Sequence, residues 1–395
     1  MPTTPARSAS EGTRRGVTRA LAGAHAFTRL ALRTERAGPP VQLYVVLNAE
    51  CDLRCRMCRF WQGVYEEPGR TPLASHEIVA LLDHAAASGT RSVILTGGEP
   101  FLRADLLDVV DAASARFPFV RLQTNGLHLD EAATERLVAS GLDVLWVSLD
   151  GVGELHDRIR GRAGAFERIV AGLMRLDEAK RGAGRPNPQV FVNVTVLPEN
   201  RDALEPLIAV AERAGASRIA FHHVSDLGRD VVAATEDRLG ARGVATLQFS
   251  RQSHVGGRAP GALPAAFWLA IDEARRRGRI AVEADPLLGE PVRERAEAGC
   301  TWPWGVAMIG PYGDLLACQS LDGWKLGNLR EAPLAALWNG DGYRAFRGHV
   351  ARGLPVCRQC CVPYRSILDH LSSHEHVARF ATGRWLRTLL FPHPT

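Results

Sequence analysis

The stretch Val41-Gln42-Leu43-Tyr44-Val45-Val46-Leu47, followed by Cys51-Asp52-Leu53-Arg54-Cys55-Arg56-Met57-Cys58, decides how the rest of the chain reads. The first part is an apolar run of strand length; the second is a loop carrying thiols at spacings of x3 and x2. Thiols this close suit an iron–sulfur cluster, in which each thiolate holds one iron. Three of them leave the fourth iron of a cubane without a protein ligand, and an open coordination position marks a reactive site. The bland alternative is a zinc knuckle or redox dithiol built on Cys55 and Cys58 alone.

Outward from this point the chain alternates short apolar strands with amphipathic helices. Strands are expected at 41–47, 91–96, 119–124, 143–149, 189–196 and 217–224. Helices are expected near 75–88, 103–116, 130–140, 164–181 and 202–214. Ser75 and Asp130 fit N-caps, and Gly89, Gly141 and Gly215 fit helix stops. Such alternation implies an α/β fold with a parallel sheet and right-handed crossovers.

Polar motifs fall where strands end, on the rim where βα loops build active sites. Thr96-Gly97-Gly98-Glu99-Pro100 follows the second strand, Gln123-Thr124-Asn125-Gly126 ends the third and Ser148-Leu149-Asp150-Gly151 the fourth. The fifth carries Asn193 and Thr195, and the sixth His222, His223 and Ser225. Glycines at 97 and 98 permit close backbone approach, and Glu99 can accept from an ammonium group. Asp150 could equally be a helix N-cap.

At Cys51-x3-Cys55-x2-Cys58, one βα unit before Gly97-Gly98-Glu99, the sequence resembles the radical S-adenosylmethionine (SAM) superfamily. The resemblance implies a partial (β/α)6 barrel. It also implies a [4Fe-4S] cluster whose open iron chelates SAM, and a 5′-deoxyadenosyl radical made by reductive cleavage of that cofactor. By the same resemblance Gly97, Gly98 and Glu99 hold the SAM amino group. Ser148-x-Asp150-Gly151, His156-Asp157 and Arg160-Gly161 are similar to the SPASM/twitch branch, where positions like Ser148 and Arg160 contact ribose and carboxylate. Asn125, Asp150 and Asn193 complete the expected cofactor contacts.

The remaining thiols are Cys300, Cys318, Cys357, Cys360 and Cys361. Between the first two, Val306–Ile309 and Leu315–Ala317 flank Gly310-Pro311-Tyr312-Gly313-Asp314, a hairpin that brings Cys300 and Cys318 together. With Gly327-Asn328-Leu329 and Trp338-Asn339 in order, this part resembles a twitch domain, a small α+β iron–sulfur unit. Cys300, Cys318, Cys357 and Cys360 map as ligands of a second, auxiliary [4Fe-4S] cluster, although four thiolates suit zinc equally. Cys361 is open between buried thiol, ligand and hydrogen donor.

Domain limits follow: a basic arm over 1–40, the barrel and bridge over 41–290, the auxiliary-cluster domain over 291–366 and a basic tail over 367–395. In the arm, Arg15, Arg19, Arg29, Arg33 and Arg36 share one helical side, with Val17, Ala20, Ala24, Phe27 and Ala31 opposite. Segment 226–262 carries no firm assignment, with residues 256–261 reading as loop, before a helix at about 264–277 and a strand at 279–284. The net charge of +5 comes almost wholly from arginine, since Lys180 and Lys325 are the lysines, and without a compact basic cluster it does not suggest nucleic acid. No apolar run reaches the ~18 residues of a membrane span, and the thiols suit a reducing cytoplasm.

The expectation is a radical SAM oxidoreductase, dehydrogenating or epimerising a small natural-product or sugar-like intermediate, with a flavodoxin or ferredoxin type electron donor. His222, His223 and Cys361 are its candidate substrate-handling residues. The alternatives are a radical SAM peptide maturase and a non-catalytic iron–sulfur or zinc scaffold.

Overall fold

The computed structural model describes residues 35–58, 60–63, 65–223, 225–227, 229–239, 253–255, 262–284, 288, 300–321, 323–358 and 360. Most of the expected arm, the tail and Cys361 lie outside the described residues, as does the side chain of His223.

Strands β1 (Gln42–Val46), β2 (Ser92–Thr96), β3 (Phe119–Thr124), β4 (Val144–Ser148), β5 (Gln189–Val196) and β6 (Arg218–His223) pair in parallel, in that order. The crossovers between them are α1 (Ser75–Ser88), α2 (Leu106–Ser114), α3 (Glu131–Ala139), the pair α4 (Glu154–Arg160) and α5 (Ala165–Gly182), and α6 (Pro206–Arg213). Both faces of these strands are buried, so β1 and β2 read as unbroken apolar runs. Leu43, Val45, Val93, Leu95, Val120, Leu122, Leu145, Val147, Val190 and Val192 pack with the helices in one large core. Their neighbours point the other way, by the two-residue period of a strand. Tyr44, Val46 and Ile94 join one inner cluster, and Phe119, Val144 and Phe191 another.

Helix ends follow local chemistry. Asp130 caps α3, its carboxylate accepting from Ala133 N at 2.9 Å, and Gly89 closes α1 in the left-handed region at φ 103°. Ser75 is the first helical residue rather than the cap; Ala74 holds that place, its N–H donating to Glu77, while the Ser75 hydroxyl binds Asp105.

Besides α4, which no expected helix covers, three parts differ from the sequence reading. First, β9 (Ala281–Ala284), reached through α8 (Ala265–Arg277), pairs in parallel with β6 and so extends the sheet. Second, the hairpin β10 (Val306–Ile309) and β11 (Asp314–Leu316) is not a detached unit. β10 runs parallel to β1, and with β12 (Lys325–Asn328) the sheet reaches ten strands, ordered β12-β11-β10-β1-β2-β3-β4-β5-β6-β9. Apolar runs alone carry no partner identity, so the sequence could not reveal that pairing. Third, the segment from 226, to which the sequence assigns no firm structure, contains α7 (Arg229–Leu239) and the short parallel pair β7 (Ser225–Leu227) and β8 (Ser253–Val255). Buried Thr235 on α7 accepts from Val356 N at 3.0 Å.

The body also begins earlier than residue 41. Trp338, ending α10 (Leu334–Trp338), donates its indole N–H to Gly38 O at 2.7 Å. Asn339 accepts from Ala37 N at 3.0 Å and donates to Ala37 O at 3.2 Å. Arg347 on α11 (Asp341–Ala351) is buried, stacked 4.6 Å from the Trp338 ring centroid and hydrogen-bonded to Pro303 O at 2.9 Å. Among the described residues no helix is long and apolar enough to cross a membrane.

Candidate active site

The loop after β1 is held on three sides. Its backbone meets the C-terminal end of α4: Arg54 N donates to Arg160 O and Arg56 N to Ile159 O, both at 3.0 Å. From the β2 side, Gly98 N donates to Asn48 O at 3.1 Å and Glu99 N to Glu50 O at 2.7 Å. Both glycines are required by this approach, because a Cβ on Gly97 would meet Asn48 Oδ1 at 2.1 Å. Third, Asp52 collects three donors. Asn125 Nδ2 reaches Oδ1 at 3.0 Å; His128 Nε2 and Arg162 Nη1 reach Oδ2 at 3.0 and 3.1 Å. Sequence reasoning missed Asp52, His128 and Arg162 in this role, although Asp52 stands between two of the thiols.

Cys55 is buried while Cys51 and Cys58 are half-buried. Burial, with smaller contributions from the neighbouring Cys55, Glu99 and Cys58, pushes the Cys51 thiol up to about 12. Burial also raises Cys55, against the opposing charge of Arg160. Thiols in such surroundings ionise poorly alone, whereas iron supplies the positive charge that holds them as thiolates.

Glu99 is wholly buried and pushed up to about 7 by that burial. Its carboxylate accepts from Phe101 N at 3.0 Å, Thr124 Oγ1 at 2.8 Å and Asn125 N at 2.7 Å. A carboxylate has about four acceptor positions, so one is left for a ligand ammonium. Asp150, also buried, is not the helix cap. Oδ1 accepts from Thr195 N at 2.8 Å, Oδ2 pairs with Arg160 Nη2 at 2.6 Å, and Gly153 occupies the cap position of α4. Arg160 Nη1 in turn lies 3.6 Å from Cys55 Sγ. His156 accepts from Asp150 N at Nδ1, 3.1 Å away, and burial pushes it down to about 3.

Ser148 and Asn193 are register partners on β4 and β5, and Thr195 and His222 on β5 and β6. By strand alternation all four share the inner face with Trp146, whose ring centroid is 6.4 Å from that of His222. Asn193 Oδ1 is buried without a hydrogen-bond partner among the described residues. An orphaned acceptor beside a serine hydroxyl fits a polyhydroxylated ligand such as the SAM ribose.

The second thiol set also converges. Cys300 precedes α9 (Trp302–Gly305), Cys318 follows β11, and Cys357 and Cys360 end the described chain. Burial raises Cys318 and Cys357; Cys318 also feels the charge of Cys360 and Cys300, and Cys357 that of Cys300, Cys360 and Cys318, so the four thiols lie near one another. Trp302 N donates to Cys300 Sγ at 3.4 Å, and Ser320 Oγ lies 3.0 Å from Cys360 Sγ. The inner cluster of Tyr44, Val46, Phe60, Ile94, Trp302 and Met308 touches Cys51 and Cys58 as well as Cys300 and Cys318. Among the described residues no three His, Cys, Asp or Glu side chains are placed to share one metal ion. A cluster does not ask that of them, since each thiolate takes its own iron.

Comparison with known proteins agrees with this arrangement. Residues 45–211 match the radical SAM superfamily, and residues 300–361 match the SPASM iron–sulfur cluster-binding domain. The PqqA peptide cyclase of Granulibacter bethesdensis is 27% identical over 82% of this chain and 80% of its own. The AdoMet-dependent heme synthase of Methanosarcina barkeri is 29% identical over 76% and 83%. Among solved structures, Streptococcus suis SuiB bound to S-adenosylmethionine shares the fold at a TM-score of 0.58 and 16% identity, over 82% of this chain and 72% of that one. Native anSMEcpe with bound AdoMet does so at 0.54 and 14%, over 89% and 99%. The cofactors implied by the two family matches are two [4Fe-4S] clusters and SAM.

Proposed function

The chain belongs to the radical SAM superfamily, with a SPASM-type iron–sulfur domain over residues 300–361, and on that premise we propose that it modifies a peptide by hydrogen-atom abstraction. The observation that carries the peptide reading is the match to PqqA peptide cyclases over about four-fifths of both chains, at 27–28% identity. It favours a peptide over the small natural-product or sugar-like intermediate expected from the sequence. Heme synthases among the relatives keep a small-molecule substrate as the second reading.

Cys51, Cys55 and Cys58 hold the SAM-site cluster, and Cys300, Cys318, Cys357 and Cys360 the auxiliary one. Glu99 receives the SAM ammonium at its fourth acceptor position, and Ser148 and Asn193 receive the ribose. Bound there, the groups supply one-electron reduction and a radical able to remove hydrogen from an unactivated C–H bond. His222, on the inner face beside Trp146, orients the substrate, and the buried sheet keeps water from the reacting carbon. A flavodoxin or ferredoxin type protein delivers the electron, and net oxidation of the peptide is the outcome we assign.

The test is anaerobic co-expression with the product of any short open reading frame beside this gene, followed by mass spectrometry. A loss of two hydrogens from the peptide, absent in the Cys51→Ala variant, is the expected result. An unchanged peptide, with turnover of a small substrate instead, would overturn the peptide assignment.

A further inference from the structure

Arg160 stands where its charge acts on a thiol. Its side chain keeps only 9% exposure and lies between two groups, with Nη2 2.6 Å from Asp150 Oδ2 and Nη1 3.6 Å from Cys55 Sγ. Asp150 is itself fixed, through Thr195 N on Oδ1 at 2.8 Å and through Asn200 Nδ2 on its carbonyl at 2.7 Å. The backbone of Arg160 is tied to the same loop it serves, its carbonyl accepting from Arg54 N at 3.0 Å. Gly161 permits that contact, since a Cβ there would meet Arg54 O at 2.8 Å. Neither end of the guanidinium can swing away without breaking a buried contact.

We propose that Arg160 donates an N–H···S hydrogen bond to Cys55 and, oriented by Asp150, sets how readily the SAM-site cluster accepts its electron. The inference rests on the reading of Cys51, Cys55 and Cys58 as cluster ligands. Reduction adds one negative charge to a group already held by thiolates, with the electron coming from the flavodoxin or ferredoxin class of donor. A buried cation within hydrogen-bonding reach stabilises that extra charge more than it would in water. Hydrogen bonds to the sulfurs and nearby charge are known determinants of cluster potentials. Asp150 acts in the opposite direction, holding a negative charge one guanidinium away from the thiol.

The experiment is an EPR-monitored redox titration of the reconstituted full chain without SAM. The SAM-site signal is identified as the one whose shape changes when SAM is later added. In Arg160→Gln its midpoint should move to more negative potential, lowering the reduced-to-oxidised ratio at the wild-type midpoint by about tenfold. Arg160→Lys should move it less in the same direction, and Asp150→Asn in the opposite direction, while the auxiliary midpoint stays put. If Arg160→Gln does not load iron, Arg160→Lys and Asp150→Asn carry the test. An unchanged midpoint in the Arg160 variants, or a shift of the same sign in Asp150→Asn, would overturn the proposal. A wild-type protein with iron but no SAM-responsive signal would instead sink the assignment of the Cys51 loop.

Discussion

A Cβ on Gly98 would lie 2.0 Å from the carbonyl oxygen of Glu50, the residue before Cys51. The loop after β2 therefore clamps the start of the thiol loop, whatever else it binds. Gly98→Ala should cost about 1–3 kcal/mol of stability through overpacking against backbone. Iron in the reconstituted protein should fall from about eight atoms to about four, the auxiliary set being retained. Full iron content with an unchanged melting temperature would show that the clamp is dispensable.

Asp52 joins the thiol loop to the ends of β3 and α4 through Asn125, His128 and Arg162. Asp52→Ala should cost about 2 kcal/mol, the scale of hydrogen bonds to a charged group, partly screened because the site is not fully buried. Chelators should strip the SAM-site iron faster from the variant than from the wild type. Equal rates of iron loss would contradict the role given to Asp52.

Glu99 carries a pH dependence. Burial, opposed by the hydrogen bonds from Asn125 N, Phe101 N and Thr124, raises its carboxyl from 4.5 to about 7. The folded chain thus holds this proton more tightly than the unfolded one. Its contribution to stability is complete below pH 4.5 and is lost as pH rises through about 7. Binding of an ammonium has the opposite sense, because only the carboxylate attracts it. SAM affinity, followed by equilibrium dialysis, should rise as pH climbs through about 7 and flatten in Glu99→Gln. A wild-type profile identical to that of Glu99→Gln would make this residue a structural cap alone.

Much of the fold was legible because β1 to β6 are apolar runs of strand length and α1, α2, α3, α5 and α6 are amphipathic, whereas the short α4 was not anticipated. Those signals are local, and the predicted bounds differ from the observed ones by few residues. The polar rim was legible for a similar reason, as Gly97-Gly98-Glu99 and Ser148-x-Asp150 interrupt apolar strands where a core has no use for them. Pairing between distant segments was not legible. Nothing in Val306–Ile309 names β1 as its partner, and nothing in Trp338-Asn339 names Ala37 and Gly38. Nor does a sequence reveal who holds whom. Asp150 reads as a cap until Arg160 and Thr195 are seen around it, and Asp52 reads as spacer until its three donors converge. Cys361 and the basic ends, including Arg15 to Arg33 of the arm, lie outside the described residues.

Asn193 offers a clean separation of binding from folding. Its Oδ1 makes no hydrogen bond among the described residues, so removing it leaves no partner stranded. Asn193→Ala should stay within ~0.5 kcal/mol of wild type in stability, as substitutions that break no contact do. SAM affinity should fall nevertheless, by about tenfold for one lost hydrogen bond. Lowered stability with intact affinity would place Asn193 in the scaffold rather than the cofactor site.

The central claim is that Cys51, Cys55 and Cys58 hold the cluster that activates SAM, apart from a second cluster on the C-terminal thiols. Iron counting and 5′-deoxyadenosine assay under dithionite, in wild type and in the triple Cys51/Cys55/Cys58→Ala variant, test it most directly. The wild type should bind about eight irons and release deoxyadenosine; the triple variant should keep about four and release none. A triple variant that still cleaves SAM would contradict the account at its base.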